Sequence, residues 1–258
     1  MNKFIDVNFW IKGNRFHGDK KEIGKLDNLL IKNNIRTVVV TNKLALTYDW
    51  NIGNNELLAS RELSESSKIY FSFILVPDAY FVADFEKYIK SCIASKVRLA
   101  RLFPKSHLFY INDYYMQKIF KILSYYKIPI MLDLKQLDIT GNKYFAMDEL
   151  KSILSKNKDL TVILECSLKQ LMFNRFFYPL IEEYENLYVE ISNLLLINQI
   201  EDIVEKFGSK RFVFGTNYPN LEIEFSVGRI LMSDMNSTAK EDIAFNNINN
   251  ILRRIEID

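Results

Sequence analysis

The feature that most constrains the fold is a regular alternation of short apolar runs with amphipathic segments. Most runs are rich in β-branched residues, as strands buried on both faces of a parallel sheet are. There are eight such runs, at 4–9, 35–40, 69–76, 97–103, 128–134, 160–166, 187–192 and 211–216. Because helical periodicity fills the intervals between them, the order predicts a parallel sheet with right-handed crossovers.

Eight strand–helix units in a chain of 258 residues favour a single (β/α)₈ TIM barrel. An open, doubly wound sheet is the alternative, and its first βα turn usually carries a glycine-rich dinucleotide fingerprint. Here that turn reads "WIKGNRFHGDKK", and the whole chain has only eight glycines. Neither an internal repeat nor a linker is visible, so we predict one domain over residues 1–258.

Composition argues against several classes of partner. The formal net charge is +2 and the charges are interspersed, whereas nucleic-acid binding normally leaves a basic stripe. Apolar runs stay below the ~18 residues of a membrane span, and the N-terminus has no apolar signal segment. We therefore expect a cytoplasmic protein with no membrane or nucleic-acid partner. Two histidines and two cysteines also weigh against a site built from several imidazoles or a disulfide framework.

Helix starts can be predicted from polar residues ahead of the amphipathic segments. Asn112 precedes the helix that follows strand four, and it is expected to cap that helix. Ser237 or Thr238 is expected to cap the last helical segment.

Polar residues stand where the strands end, which is the side of a TIM barrel that carries its active site. In the first run, "FIDVNFWIKG", Asp6, Asn8 and Trp10 alternate with apolar residues and therefore share one face. Later strand ends carry further polar groups: Arg101, Asp133, Glu165, Cys166, Glu190, Ser192 and Asn217. The pattern predicts a polar site at the mouth of the barrel.

Several of these segments resemble the amidohydrolase superfamily, in its branch of amidohydrolase-related hydrolases and decarboxylases. The similar segments are "FIDVNFW", "VRLARLFP", "YKIPIMLDL", "LTVILECS" and the C-terminal "AKEDIAFNNINNIL". The most specific part is "YENLYVEIS" followed by "IEDIVEKFGSKRFVFGTNYP". The resemblance extends over nearly the whole chain. It implies a TIM barrel in which Zn²⁺ or a similar ion, held by histidines and an aspartate, activates water.

The sequence departs from that family at the positions of the metal ligands. Asn8 and Trp10 stand where the family has His-x-His, and Asp133 and Cys166 stand where it has histidines of strands five and six. Asn217 stands in place of the catalytic Asp. Asparagine is a weak neutral ligand, and tryptophan offers an N–H donor but no lone pair. We therefore predict no tightly bound metal, although Zn²⁺ is the cofactor that the resemblance implies.

The remaining residues allow two hypotheses of function. In the first, the protein is a non-catalytic barrel that binds a small molecule or another protein, with Asn8, Trp10, Arg101 and His17 as binding residues. In the second, it is a metal-independent hydrolase or lyase of a small anionic substrate, held by Arg101. A homodimer is compatible with either hypothesis.

The catalytic positions of the second hypothesis are Asp133, Cys166 and Asn217, with Asp133 as the best acid–base candidate. Alternation along strand six allows only one of Glu165 and Cys166 to point inward. A nucleophilic pair of Cys166 with His17 is conceivable.

Two buried partners can also be anticipated. A carboxylate inside a barrel needs a partner, and Asp6 is expected to bond to neighbouring backbone amides or to an arginine, for which Arg101 is the candidate. Arg101 is expected either to form such an internal ion pair or to bind a carboxylate or phosphate of a ligand.

Overall fold

The computed structural model describes residues 3–11, 27–59, 69–81, 84–138, 143–165 and 174–255. Eight β-strands lie within or overlap the eight predicted runs. They are β1 Phe4–Ile11, β2 Ile35–Asn42, β3 Ile69–Ile74, β4 Val97–Leu102, β5 Ile130–Asp133, β6 Val162–Glu165, β7 Leu187–Glu190 and β8 Phe212–Val213.

All neighbouring strands pair in parallel, and their order in the sheet is the order along the chain, from β1 to β8. The first and last strands then meet. The Val7 amide donates to the Phe214 carbonyl at 3.2 Å, and the Trp10 amide donates to the Tyr218 carbonyl at 2.9 Å. These contacts close the sheet into a barrel, which confirms the predicted fold class.

Helices lie between the strands, as the periodicity of the sequence indicates. They are α1 Leu44–Thr47, α2 Trp50–Ala59, α3 Phe85–Ala94, α4 Tyr114–Tyr125, α5 Leu134–Leu137, α6 Lys143–Lys156, α7 Asn174–Glu183, α8 Gln199–Phe207, α9 Ile223–Leu231, α10 Ser237–Glu241 and α11 Asn247–Leu252. A 3₁₀ turn at Pro77–Phe81 follows β3, and a π-helical turn at Asp242–Asn246 joins α10 to α11. In the described part of the chain, no helix is long and apolar enough to cross a membrane.

Two helix caps lie one or two residues from the predicted positions. Asp113 caps α4, and its Oδ1 accepts from the amide two residues further on at 2.8 Å, whereas Asn112 bonds to another helix. Asn236 caps α10 in place of Ser237 or Thr238. In both cases the capping residue is the last one with extended backbone, which is the condition that a cap must meet.

The barrel interior changes from apolar to polar along β1. At its start, the rings of Phe4 and Phe214 lie 4.7 Å apart, and both side chains are buried. Towards its end, Asp6 and Asn8 are also buried, although both side chains are polar. Because buried polar groups need hydrogen-bond partners, the polar end of the barrel must contain an organised network.

Candidate functional site

A cavity of about 300 Å³ lies at the end of the barrel where the strands terminate. Its walls come from the ends of β1, β5 and β6 and from residues that follow β2, β4, β7 and β8. The carboxylates and amides that line it are Asp133, Glu165, Gln136, Asn193, Asn217 and Asn220. Trp10, Leu46, Phe103 and Pro219 supply apolar surface, and Lys43 and Lys135 supply positive charge. This is the end at which TIM barrels carry their ligand sites.

The polar face of β1 forms the floor of this region. The Trp10 indole N–H donates to Asn8 Oδ1 at 3.0 Å, and the Asn8 amide donates to Asp6 Oδ1 at 2.9 Å. The second of these bonds comes from the Asn8 backbone, so Trp10 is linked to the Asn8 side chain and Asp6 to the Asn8 main chain.

Arg101 is buried in the barrel beside Trp10 and Glu165, two residues that line the cavity. Its Nη1 donates to Asn8 Oδ1 at 2.8 Å, and its Nη2 lies 2.6 Å from Glu165 Oε2. The guanidinium carbon is also 4.3 Å from the centre of the Trp10 ring, which adds a cation–π contact. Only 1% of the side chain is exposed, so the positive charge is held within the barrel.

Of the two partners expected for Asp6, backbone amides are confirmed and a pair with Arg101 is wrong. Asp6 accepts hydrogen bonds from the Thr216 amide at 3.0 Å and from the Thr216 hydroxyl at 2.5 Å. Burial nevertheless raises the pKa of Asp6 to about 6, against these hydrogen bonds. Asp6 lies beside the chain that follows β8 across the closure of the barrel, whereas the longer Arg101 side chain reaches across to Glu165.

Glu190 is fully buried, as Asp6 is. It accepts from Asn8 Nδ2 at 3.0 Å, from the Ser192 amide at 2.6 Å and from the Ser192 hydroxyl at 2.7 Å. Burial, followed by the nearby Glu165 charge, raises the pKa of Glu190 to about 8. Gly215 makes room for it, because a Cβ at that position would lie 2.4 Å from Glu190 Oε1.

Glu165 is the strand-six residue that points inward, a choice that the sequence left open. Its second oxygen, Oε1, accepts from Asn193 Nδ2 at 3.1 Å. Asn217 Nδ2 donates in turn to Asn193 Oδ1 at 3.3 Å, and Asn220 Nδ2 donates to Asn217 Oδ1 at 3.0 Å. A chain of amides thus leads from the surface to the buried ion pair.

Asp133 lies at the end of β5 and lines the cavity as predicted from its position. Its Oδ1 accepts from the Lys135 amide at 2.9 Å and so caps α5. Burial, with the Glu165 charge as the second cause, raises the pKa of Asp133 to about 6. A carboxyl with this pKa exchanges protons near neutral pH, as an acid–base group must.

Two predicted site residues, His17 and Cys166, lie outside the described residues. The sequence-based search in turn missed Asn193, Asn220 and Thr216, which belong to the polar network. Asn193 follows the end of β7, and Thr216 and Asn220 follow the end of β8. Extending the search a few residues beyond each strand end would have found them.

Two side chains at the positions that the resemblance assigns to metal ligands have no free lone pair for a divalent ion. Asn8 Oδ1 already accepts from Trp10 and from Arg101, so its lone pairs are used. Trp10 has no lone pair to offer. Within the described ranges, no group of three or more His, Cys, Asp or Glu residues is arranged to hold an ion.

Comparison with solved structures identifies the fold. A dihydroxybenzoic acid decarboxylase from Polaromonas sp. JS666, solved with bound manganese and the inhibitor 2-nitroresorcinol, matches with a TM-score of 0.75 at 12% identity, over 100% of this chain and 98% of that one. A 5-carboxyvanillate decarboxylase from Sphingomonas paucimobilis matches with a TM-score of 0.72 at 10% identity, over 98% and 99%. An uncharacterized TIM-barrel protein from Bordetella bronchiseptica matches with a TM-score of 0.74 at 14% identity, over 98% and 99%.

These structures show that the chain has the TIM-barrel fold. At 10–14% identity, the likeness establishes the fold and leaves the chemistry to the site itself. No family model matches the sequence, and no curated protein is significantly similar to it.

Proposed function

We propose that this protein is a non-catalytic barrel that binds a small organic molecule at its mouth without a metal ion. The protein shares its fold with a decarboxylase that was solved with bound manganese, but we propose no metal-dependent chemistry for it. A concave cavity of about 300 Å³, at the lower end of the usual range for small-molecule sites, favours a small ligand over a protein partner.

The observation that carries the proposal is the position of the Arg101 guanidinium. It lies 2.8 Å from Asn8, the residue that stands in place of a ligating histidine, and 2.6 Å from Glu165. Arginine stays protonated in proteins, so the site has its own permanent cation.

A second cation in the same space would be opposed by electrostatics. Like charges within a few ångströms repel strongly where water is excluded, and the Arg101 side chain is only 1% exposed. Glu165, a carboxylate that lines the cavity, already accepts from Arg101 and from Asn193. The donor set therefore suits a guanidinium and does not suit Zn²⁺ or Mn²⁺.

Metal analysis of the purified protein tests this directly. The protein should be prepared without chelators, incubated with Zn²⁺ or Mn²⁺ and desalted. Its metal content is then measured by inductively coupled plasma mass spectrometry. We expect far less than one ion per chain. One tightly held ion per chain, released only by a chelator, would overturn the proposal.

A second candidate is a metal-independent hydrolase or lyase that uses Asp133. It is favoured by one observation, the pKa of about 6 of a carboxyl that lines the cavity. Arg101 is less suited to the anion-binding role of this hypothesis, because both of its terminal nitrogens already donate within the barrel.

A screen of esters, lactones and amides separates the two candidates, with Asp133→Asn as the matched variant. Turnover that disappears in Asp133→Asn would favour the enzyme and reject the non-catalytic barrel. Turnover that is equal in both proteins and co-purifies with them would exclude Asp133 as the acid–base group and would also reject the non-catalytic barrel.

A further inference from the structure

We propose that the ligand of the barrel mouth is a neutral polyhydroxylated molecule, a monosaccharide or a polyol. This inference rests on the proposed function, since it assumes that the cavity binds a small molecule. It names the chemical class of that molecule from the hydrogen-bonding groups, the charges and the apolar surface of the cavity.

The amide chain fixes which hydrogen-bonding groups face the ligand. Glu165 Oε1 accepts from the Asn193 amide nitrogen, so the Asn193 oxygen is free to accept from Asn217. The Asn217 oxygen in turn accepts from Asn220. Each amide nitrogen carries two N–H groups. One N–H on each asparagine is used in this row of amides, and the second has no acceptor among the described residues, so we assign it to the ligand.

Acceptors stand beside these donors. Asp133 Oδ1 accepts from the Lys135 amide, whereas Asp133 Oδ2 has no donor among the described residues. Asn220 Oδ1, at the exposed end of the row of amides, likewise has no donor among the described residues. The cavity therefore presents donors and acceptors together. A hydroxyl group both donates and accepts, whereas an ammonium only donates and a carboxylate only accepts.

The charges around the cavity favour a neutral ligand. Glu165 is balanced by Arg101 at 2.6 Å. Asp133 would repel an anionic ligand, and the cavity-lining residues Lys43 and Lys135 would repel a cationic one. The lysines outnumber Asp133 by one, but both lysines are exposed and water screens their charge. The remaining attraction for an anion is therefore small.

The apolar part of the lining suits the C–H groups of a sugar ring. Trp10 and Phe103 lie with ring centres 5.8 Å apart, and both line the cavity. Small-molecule sites typically combine apolar surface of this kind with a few polar groups that fix orientation.

Fluorescence titration provides the test. The chain has two tryptophans, so a Trp50→Phe variant leaves Trp10, which lines the cavity, as the reporter. The probes are D-glucose, D-galactose and myo-inositol, compared with benzoate as an anion and putrescine as a cation. We expect saturable changes in Trp10 emission with at least one polyhydroxylated probe and none with benzoate or putrescine.

A matched pair of asparagine variants locates the binding. Asn220→Ala removes an exposed amide that lines the cavity, and we expect binding about fivefold weaker, the factor for a hydrogen bond of ~1 kcal/mol. Asn55→Ala removes an exposed amide that makes the same kind of amide–amide bond, to Asn51, but does not line the cavity. Its binding should equal that of the parent protein.

The outcomes distinguish the two proposals. Binding of benzoate or putrescine in place of the polyhydroxylated probes would overturn the ligand class and leave the binding function intact. Failure of every polyhydroxylated probe would also overturn the ligand class. A stoichiometric metal ion, in contrast, would overturn the proposed function itself.

Discussion

At the scale of single residues, the mouth of the barrel is organised by groups that water hardly reaches. Arg101, Asn8, Glu165 and Glu190 form a connected set in which each polar atom of Asn8 serves two partners. Both terminal nitrogens of Arg101 are bonded within this set, whereas its Nε has no hydrogen-bond partner among the described residues. A buried set of this kind is sensitive to the loss of any one member.

We expect Arg101→Met to lower the free energy of unfolding by about 3–5 kcal/mol. The substitution leaves the Glu165 carboxylate, whose side chain is 11% exposed, without its cation. Urea unfolding followed by circular dichroism measures the change.

Two controls accompany this variant. Arg101→Met combined with Glu165→Leu removes both charges, so the double variant should be less destabilised than the single one. Lys32→Met breaks an exposed ion pair with Glu224 and should change the stability little. A single variant as stable as the parent would contradict the role assigned to the buried pair.

The stability of the protein should decrease as pH rises from about 5 to about 8. Burial raises the pKa of Glu190 to about 8 from its ordinary value of 4.5, so the folded protein holds a proton that the unfolded chain releases. This contribution is fully present below the unfolded pKa and is lost as pH rises through the folded one, at up to ~1.4 kcal/mol per pH unit.

Glu190→Gln tests this dependence, because glutamine cannot ionise. Urea unfolding at a series of pH values should give a flatter profile for the variant than for the parent protein. Asp6, whose pKa is raised to about 6, supports the decrease in the lower part of the range. Parallel profiles for the two proteins would show that Glu190 is not the source.

At the scale of elements, α2 is attached to the barrel by its polar residues. Asn54 donates to the Ile74 carbonyl at 2.7 Å and accepts from the Ile74 amide at 2.9 Å, which joins α2 to β3. Gly53, its neighbour, lies against α1, where an added Cβ would be 2.2 Å from the Ala45 nitrogen. The corner between α1 and α2 therefore depends on a glycine.

Gly53→Ala should destabilise the protein by about 1–3 kcal/mol, since backbone atoms cannot move aside as a flexible side chain can. Gly228→Ala is the matched control, because it lies within α9 and nothing is within 4 Å of its added Cβ. There the better helix propensity of alanine should stabilise by about 0.5–1 kcal/mol. Thermal unfolding compares the two, and equal midpoints would contradict the packing argument.

Strands were easier to predict than the details of the site. Apolar runs locate strands because burial on both faces leaves a continuous pattern, and all eight strands were found in this way. The cap at Asp113, one residue after Asn112, depends on backbone angles that residue types alone do not fix. The orientation of Glu165 likewise depends on the exact register of β6, since a shift of one residue would turn its side chain to the other face of the strand.

At the scale of the whole molecule, the barrel closes between β1 and the segment that begins with β8, and this seam has little regular strand pairing. Only two residues, Phe212 and Val213, make up β8, and beyond them Phe9 and Tyr218 form an isolated bridge. Asp6 adds side-chain bonds across this closure through Thr216.

Thr216→Val should loosen this closure selectively, because it removes the hydroxyl that donates to Asp6 at 2.5 Å. Hydrogen exchange should become faster at the amides of β1 and β8, including Val7, which donates to Phe214. Amides of β5 and β6 should keep their parent rates. Thr47→Val removes a hydroxyl that donates within α1 and should change neither group. Uniformly faster exchange would mean global destabilisation in place of local opening.

The sequence by itself determined the barrel, because the number, spacing and apolar character of the runs leave few other parallel arrangements. It also placed Asp6, Asn8 and Trp10 on one face, since alternation along a strand is a local property. Only the tertiary structure decided that Arg101 pairs with Glu165 and that Asp6 pairs with Thr216. These partners lie far apart in the chain, and their meeting depends on side-chain reach and on how the barrel closes.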